Sequence, residues 1–374
     1  MNYSSFSFVT PKRIIYGWDK FTELGKEARK LGQKVLVVCS KRISTEDPIF
    51  LKIRDLLGQE AVEVILFNQI AGEPDVQVIE KGINLLKIEQ CNLVIGLGGG
   101  SSIDGAKAIA GLAYLEGNVE DYFLGKDVEQ KGLPWIAIPT TAGTGAEATK
   151  NAVLSHKEKK MKQSIRSDYW MADLALVDPH LTVSMPPKVT AYTGMDAFTQ
   201  AIESYTSRGA NPLTDSISME AATLIGKNIL LAYKNGNNRN AREAMALGSL
   251  MAGVTLTNAR LGLVHGLAHP LGIRYNIPHG LVCAVLLPYA IDFNFSASAD
   301  KYNKLAQAIG EEDLLLFVKK LNQEMKIPEK LSYLGLQKND LTEIIKESLP
   351  SGSLKANLKE VGHEDLMNIL LKNL

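Results

Sequence analysis

The feature that most constrains this chain is a series of short, largely apolar, β-branched runs separated by amphipathic stretches between residues 34 and 139. Val35-Leu36-Val37-Val38, Val62-Glu63-Val64-Ile65-Leu66, Leu93-Val94-Ile95 and Trp135-Ile136-Ala137-Ile138 read as strands, and residues 50–57, 75–86 and 102–115 read as helices. Strands with so little polar alternation are buried on both faces, as in a parallel sheet covered by helices on each side. A helix over 21–30 is expected before the first strand, and a last run, Leu174-Ala175-Leu176-Val177, stops at Asp178-Pro179. Pro186-Pro187 then marks the boundary. Beyond it, residues 190–205, 213–232, 241–258 and 265–271 carry helical spacing, and the tail adds helices at 313–325, 340–347 and 363–372. The expectation is an α/β Rossmann-like nucleotide-binding domain over 1–184 and an all-α domain over 185–374.

Composition removes several function classes. Lys+Arg and Asp+Glu stand at 41 each in 374 residues, a balance that disfavours a nucleic-acid or membrane-surface role. The longest apolar run, residues 281–291, is shorter than the ~20 residues that cross a bilayer. Residues 1–17 are polar and aromatic, without the apolar centre of a signal peptide. Cys39, Cys91 and Cys283 form no CxxC pair, which suits a reducing cytoplasm. A cytoplasmic protein with neither nucleic-acid nor membrane partners is expected.

Two loops follow apolar strands in the first half. Gly96-Leu97-Gly98-Gly99-Gly100-Ser101 leads into a helix, giving a Gly-x-Gly-x-x-Ser turn on about the third strand. Glycines let backbone approach a ligand, and the helix start presents N–H groups and a positive dipole end to an anion. Asp104 and Lys107 follow, a spacing that also suits a solvated i,i+3 pair. Pro139-Thr140-Thr141-Ala142-Gly143-Thr144-Gly145-Ala146-Glu147 adds hydroxyls and amides after the next strand, where α/β sheets bind ligands.

The second half gathers histidines. His265 and His269 share one face of a helix, and His279, in Pro278-His279-Gly280, follows in a turn able to bring its ring back toward them. Upstream, Asp196 and Gln200 are also i,i+4, in apolar surroundings where a bare carboxylate is costly unless paired or metal-bound. One carboxylate and two imidazoles suit Zn(II) or Fe(II) with a position left open.

Together these residues resemble the iron-containing (group III) alcohol dehydrogenase family. The stretches are Gly98-Gly99-Gly100-Ser101 with Asp104 and Lys107, then Pro139 to Glu147, Gly194-Met195-Asp196-Ala197, His265-Gly266-Leu267-Ala268-His269-Pro270-Leu271-Gly272, and Pro278-His279-Gly280. The resemblance runs from Ile15-Tyr16-Gly17 to about Asn294. It implies an active site in the cleft between the domains, where a divalent metal polarises a substrate oxygen. A nicotinamide then exchanges hydride, interconverting a primary alcohol and an aldehyde. Asp196, His265 and His279 fall on the metal positions, with Gln200 where the family usually has a histidine. His269 falls on the position assigned to proton relay, so Asp196, His265 and His269 are the expected catalytic residues. Gly98, Gly99, Gly100, Ser101, Asp104, Thr140, Thr141, Thr144, Thr149, Asn151, Lys162 and Leu181 match cofactor positions.

Members that prefer NAD often carry Asp where this chain has Ser40, followed by Lys41 and Arg42. That change favours NADP over NAD as the cofactor, because a repelling charge is gone and basic groups stand ready for a 2′-phosphate. The resemblance also implies a homodimer, formed through residues 5–9. The alternatives are a glycerol-dehydrogenase-like or dehydroquinate-synthase-like enzyme, or a nucleotide-binding homologue with weak or lost metal binding.

Overall fold

The computed structural model describes residues 5–159 and 161–374 and divides them into two compact units. One unit comprises Val9–Thr141 and Gly145–Thr182; the other comprises Val183–Leu374 with Ala142–Thr144 and residues 5–8.

The first unit holds strands β1 (Ile14–Tyr16), β2 (Lys34–Ser40), β3 (Glu63–Ile70), β4 (Leu93–Gly98), β5 (Trp135–Pro139), β6 (Asn151–His156), β7 (Met161–Arg166) and β8 (Leu174–Val177). Its helices are α1 (Leu24–Leu31), α2 (Pro48–Gly58), α3 (Val76–Ile88), α4 (Gly100–Leu112) and α5 (Val119–Phe123). Six strands form one parallel sheet in the order β1-β8-β5-β4-β2-β3. Alternate strand residues feed two cores, as the pleat requires. Leu36, Val38 and Val94 join Ile103, Ile109 and Trp170 on one face, while Val35, Val37, Leu93 and Ile95 join Leu24, Ile53 and Leu57 on the other. Aspartates start two of the covering helices: Asp47 accepts from Ile49 N and Asp75 from Gln77 N, both at 3.0 Å.

The chain leaves β2 for β3 on one side and returns to place β4 on the other, so the carboxyl ends of β2 and β4 flank the topological switch point. Two expectations need correction here. The glycine turn follows the fourth strand, because Ile14–Tyr16 forms an edge strand beside β8. Residues 151–166 contribute an antiparallel hairpin, β6–β7, that the apolar-run criterion passes over. Its strands bury at most alternate side chains, so they carry no continuous apolar run.

The second unit is helical: α6 (Pro187–Thr206), α7 (Pro212–Lys234), α8 (Arg239–Ala259), α9 (Leu263–Tyr275), α10 (His279–Ile309), α11 (Leu314–Glu324), α12 (Leu341–Ser348), α13 (Gly352–Ala356) and α14 (His363–Lys372). One apolar core joins them, in which Phe198 meets Phe317 edge to face at 6.3 Å. Arg242 lies fully inside it and donates to Gly236 O, Thr190 Oγ1 and Met185 O. The segment containing residues 281–291 proves longer than expected. Helix α10 is long and apolar enough to cross a membrane by length and composition alone. Of its most apolar window, 67% is buried within the protein, and Ser298 departs from helical geometry, so this is a core helix. Residues 5–9 form no strand within the chain.

Candidate active site

Three helices of the second unit converge on one buried polar cluster. Helix α6 presents Asp196, Gln200 and Glu203, all buried, on successive turns of a face that is otherwise core. Helix α9 supplies His265 and His269, and the first turns of α10 supply His279 and Cys283. Asn276, in the left-handed conformation, ends α9, and three residues later, at His279, α10 begins, so the chain folds back. The ring of His279 thereby lies 5.4 Å from that of His265 and stacks on His269 at 5.2 Å. Gly280 makes this approach possible. A Cβ there would stand 2.0 Å from Tyr192 O on α6, so α10 rests on the backbone of its neighbour.

Asp196 Oδ1 is the hub. It lies 3.2 Å from His265 Nε2 and 3.8 Å from His279 Nε2, and it accepts from Gln200 Nε2 at 3.1 Å. Behind His265, Glu203 Oε2 faces Nδ1 at 2.6 Å while Glu203 Oε1 accepts from Val264 N at 2.6 Å. That carboxylate accepts a proton held on Nδ1 and leaves the lone pair of Nε2 facing the cluster beside Asp196, the arrangement that orients metal-bound histidines. Glu203 was not singled out by sequence reasoning. Its place one turn beyond Gln200, on the same buried face, was the available signal.

Burial alone would raise the Asp196 carboxyl, but His279 and His265, with the Gln200 amide, hold it below the ordinary range. Burial opposes charge on His265, yet the Cys283 sulfur, Glu203 and Asp196 outweigh it and raise its basicity well above normal. Two carboxylates buried among imidazoles demand a positive charge, which a proton or a divalent cation can provide. The donor set fits a cation. One ligand atom from each of Asp196, His265, His279 and Cys283 lies within 4.8 Å of every other, and the buried Gln200 Oε1 has no hydrogen-bond partner.

Ser40, Gly98, Gly99, Gly100, Ser101, Thr140 and Thr141 lie at or just after the carboxyl ends of β2, β4 and β5, whereas Asn151 opens β6 and Lys162 lies within β7. Gly98 ends β4 at φ +138°, where a Cβ would sit 2.8 Å from Ser102 Oγ, and Gly99 caps α4. Gly100 and Ser101 open the helix, so their N–H groups have no partner within it. Thr140 N donates to Gly98 O at 2.9 Å, joining the two loops, and Thr141 Oγ1 lies 3.4 Å from the Cβ position of Gly99. Ser40 ends β2 across the switch point, followed by exposed Lys41 and Arg42. Thr144 belongs to the short segment that groups with the helical unit, and Leu181 packs against one of the sheet's cores.

Asp104 and Lys107 are not a solvated pair. Lys107 is fully buried, and its ammonium donates to Ala146 O, Thr149 Oγ1 and Asn151 O at 3.0, 2.8 and 2.6 Å. Asp104 Oδ2 accepts from Val153 N at 2.9 Å, leaving Oδ1 buried with Lys107 Nζ at 3.5 Å. The side chain of Thr149 is thus engaged in a brace from α4 to the hairpin. Lys162, on the other hairpin strand, pairs with Glu73.

Comparison with known proteins extends over the whole chain. Residues 11–179 match the family described as iron-containing alcohol dehydrogenase, and residues 190–374 match the C-terminal part of the Fe-containing alcohol dehydrogenase family. The 1,3-propanediol dehydrogenase of Klebsiella pneumoniae is 33% identical, with 99% of each chain covered. Among solved structures, a 1,3-propanediol oxidoreductase superposes with a TM-score of 0.96 at 32% identity, covering 99% of this chain and 100% of its own. Sulfoacetaldehyde reductase from Bifidobacterium kashiwanohense, solved in complex with NAD+, does so with a TM-score of 0.90 at 30% identity over 99% of both chains. Two domain matches that together span nearly all of the sequence, and relatives aligned end to end, leave one assignment: the chain belongs to the iron-containing alcohol dehydrogenase family, whose members are metal-dependent, nicotinamide-linked alcohol and aldehyde oxidoreductases.

Proposed function

We propose that the chain reduces a small aldehyde, and oxidises the matching primary alcohol, at the Asp196–His265–His279 cluster. The observation that carries this reading is the convergence of a carboxylate and two imidazoles on one point with a second carboxylate, Glu203, orienting His265. When bound there, a divalent ion, Fe(II) or Zn(II), supplies Lewis-acid polarisation of the substrate oxygen while a nicotinamide supplies or accepts the hydride. The residues do the rest. Asp196 is kept ionised by its histidine neighbours, and Glu203 keeps Nε2 of His265 aimed inward. His269, stacked on His279 and only partly buried, is placed to pass a proton between the substrate oxygen and solvent.

For the cofactor, Gly98, Gly99, Gly100, Ser101 and Asp104 are assigned to the dinucleotide, with the pyrophosphate at the first turn of α4. Ser40, at the end of β2, offers no charge to repel a 2′-phosphate, and Lys41 and Arg42 stand beside it, so NADP(H) is the preferred carrier. The test is turnover of a panel of short aldehydes with NADPH and with NADH, on protein whose metal content has been measured. A higher kcat/KM with NADPH is expected, falling below the NADH value on Ser40→Asp. NADH preference in the wild type overturns the cofactor assignment alone. Turnover that neither depends on metal nor responds to its addition overturns the reading as a whole. A cytoplasmic homodimer completes the proposal, with pairing through residues 5–9; light scattering of the full chain against one lacking those residues tests it.

A further inference from the structure

The resemblance leaves the metal one ligand short at Gln200, and the structure offers another residue in its place. We propose that Cys283 Sγ is a protein ligand of the metal, completing an O,N,N,S set with Asp196, His265 and His279, while Gln200 acts on the site only through Asp196. The inference rests on the metal-centre reading above.

Cys283 lies four residues after His279 on α10, so both side chains leave the same helix face toward Asp196. Its sulfur is 3.7 Å from His279 Nε2 and 3.9 Å from His265 Nε2. A tetrahedral ion with bonds of about 2.0–2.1 Å to nitrogen or oxygen and about 2.3 Å to sulfur separates its ligand atoms by about 3.4–3.6 Å. Four of the six edges, 3.2, 3.7, 3.8 and 3.9 Å, lie within about half an ångström of that figure, and all six are within 4.8 Å. Gln200 is differently placed. Its Nε2 donates to Asp196 Oδ1, so the amide is tied to a carboxylate already in the set, and its buried Oε1 is the one remaining atom through which it could act on the ion directly. A neutral amide oxygen is also a poorer donor to a divalent ion than a thiolate. With Cys283 bound, the charges of Asp196 and Cys283 balance the ion, and Glu203 remains paired with His265. As the sulfur–metal bond forms, the thiol proton passes to solvent.

Burial by itself does not distinguish this residue, since Cys39 and Cys91 are buried too. Position does. Among the described residues, Cys283 is the cysteine that shares a cluster with three other ligand-type side chains. A sulfur in the set would shift preference from Fe(II) toward Zn(II), and Asp196, His265, His279 and Cys283 would hold the ion while it supplied Lewis acidity to a substrate oxygen.

The experiment uses the full-length protein loaded with zinc or cobalt(II). X-ray absorption at the zinc edge is expected to show one sulfur neighbour at about 2.3 Å. The cobalt form is expected to show a thiolate-to-cobalt charge-transfer band, which Cys283→Ser abolishes. That variant should also hold zinc at least about tenfold more weakly, the minimum expected from losing a mere supporting partner. Stoichiometric zinc in a shell of nitrogen and oxygen only overturns the inference and leaves the metal-centre reading standing. A sulfur signal that survives Cys283→Ser overturns it as well. Failure of the wild type to retain any divalent metal overturns both. The wild-type spectra decide the question even if the variant folds poorly.

Discussion

Each unit of this molecule holds a cluster built around a pair of buried carboxylates, and the two clusters solve the resulting electrostatic problem differently. In the α/β unit Asp104 and Glu147 lie beside Lys107, whose three ammonium hydrogens all reach oxygen acceptors. In the helical unit Asp196 and Glu203 have histidines as their charged partners. Burial lowers the basicity of Lys107, but Asp104 and Glu147 oppose that and its ammonium is covalently part of the chain, so the first cluster carries its own cation and acts as a brace. Imidazoles can be neutral and offer lone pairs, so the second is open to an external cation. The contrast separates a structural polar cluster from a chemical one better than burial or the number of charges does.

Removing the built-in cation is the strongest way to break this contrast. Lys107→Met should cost about 3–5 kcal/mol, since it strands a buried carboxylate and leaves two backbone carbonyls without their donor. Urea denaturation checks it, and a loss below about 1 kcal/mol would mean that the brace is not closed. The second test uses pH. Burial pushes the Glu147 carboxyl up to about 7 from an ordinary 4.5, against the smaller opposing pull of its own backbone N–H and Lys107. Because the folded state favours the protonated acid, the penalty is absent below pH 4.5, grows as pH rises to about 7, and is constant above that. Glu147→Gln should therefore be more stable than wild type by about 3 kcal/mol at pH 8 and indistinguishable from it near pH 4, by thermal or urea melts. In the open cluster, Glu203→Gln should weaken metal retention by about tenfold to a hundredfold, because His265 loses the partner that fixes its tautomer. Competition with a chelator measures this. An unchanged affinity would show that Glu203 serves packing alone.

Most of the architecture was readable because it rests on continuous apolar runs and on helical spacing. Five of the six parallel strands and helices α6 to α9 fall where those patterns place them, as does the approach of His279 to His265 and His269, while the edge strand β1 and the long helix α10 were not read as such. The β6–β7 hairpin escaped because one-sided burial leaves polar residues such as Asn151, Ser155 and Gln163 within its strands. The role of Lys107 escaped for a different reason. Its acceptors on Ala146, Thr149 and Asn151 lie some forty positions away, and i,i+3 spacing to Asp104 looks the same in solvent and in a core. Cys283 was within reach, since the i,i+4 rule that paired His265 with His269 also pairs it with His279.

The contact of Gly280 with the carbonyl of Tyr192 has a consequence for how such a centre can change over time. The separation of α10 from α6 is set there by main chain against main chain, without help from the donor side chains themselves. The donors can therefore be exchanged one at a time, an imidazole for an amide or an amide for a thiol, while the point on which they converge stays fixed. A single methyl group at position 280, which adds no charge and removes no ligand, would disturb that point more than many substitutions among the ligands. Ligand chemistry is the part of this centre free to drift, and the glycine is the part that is not.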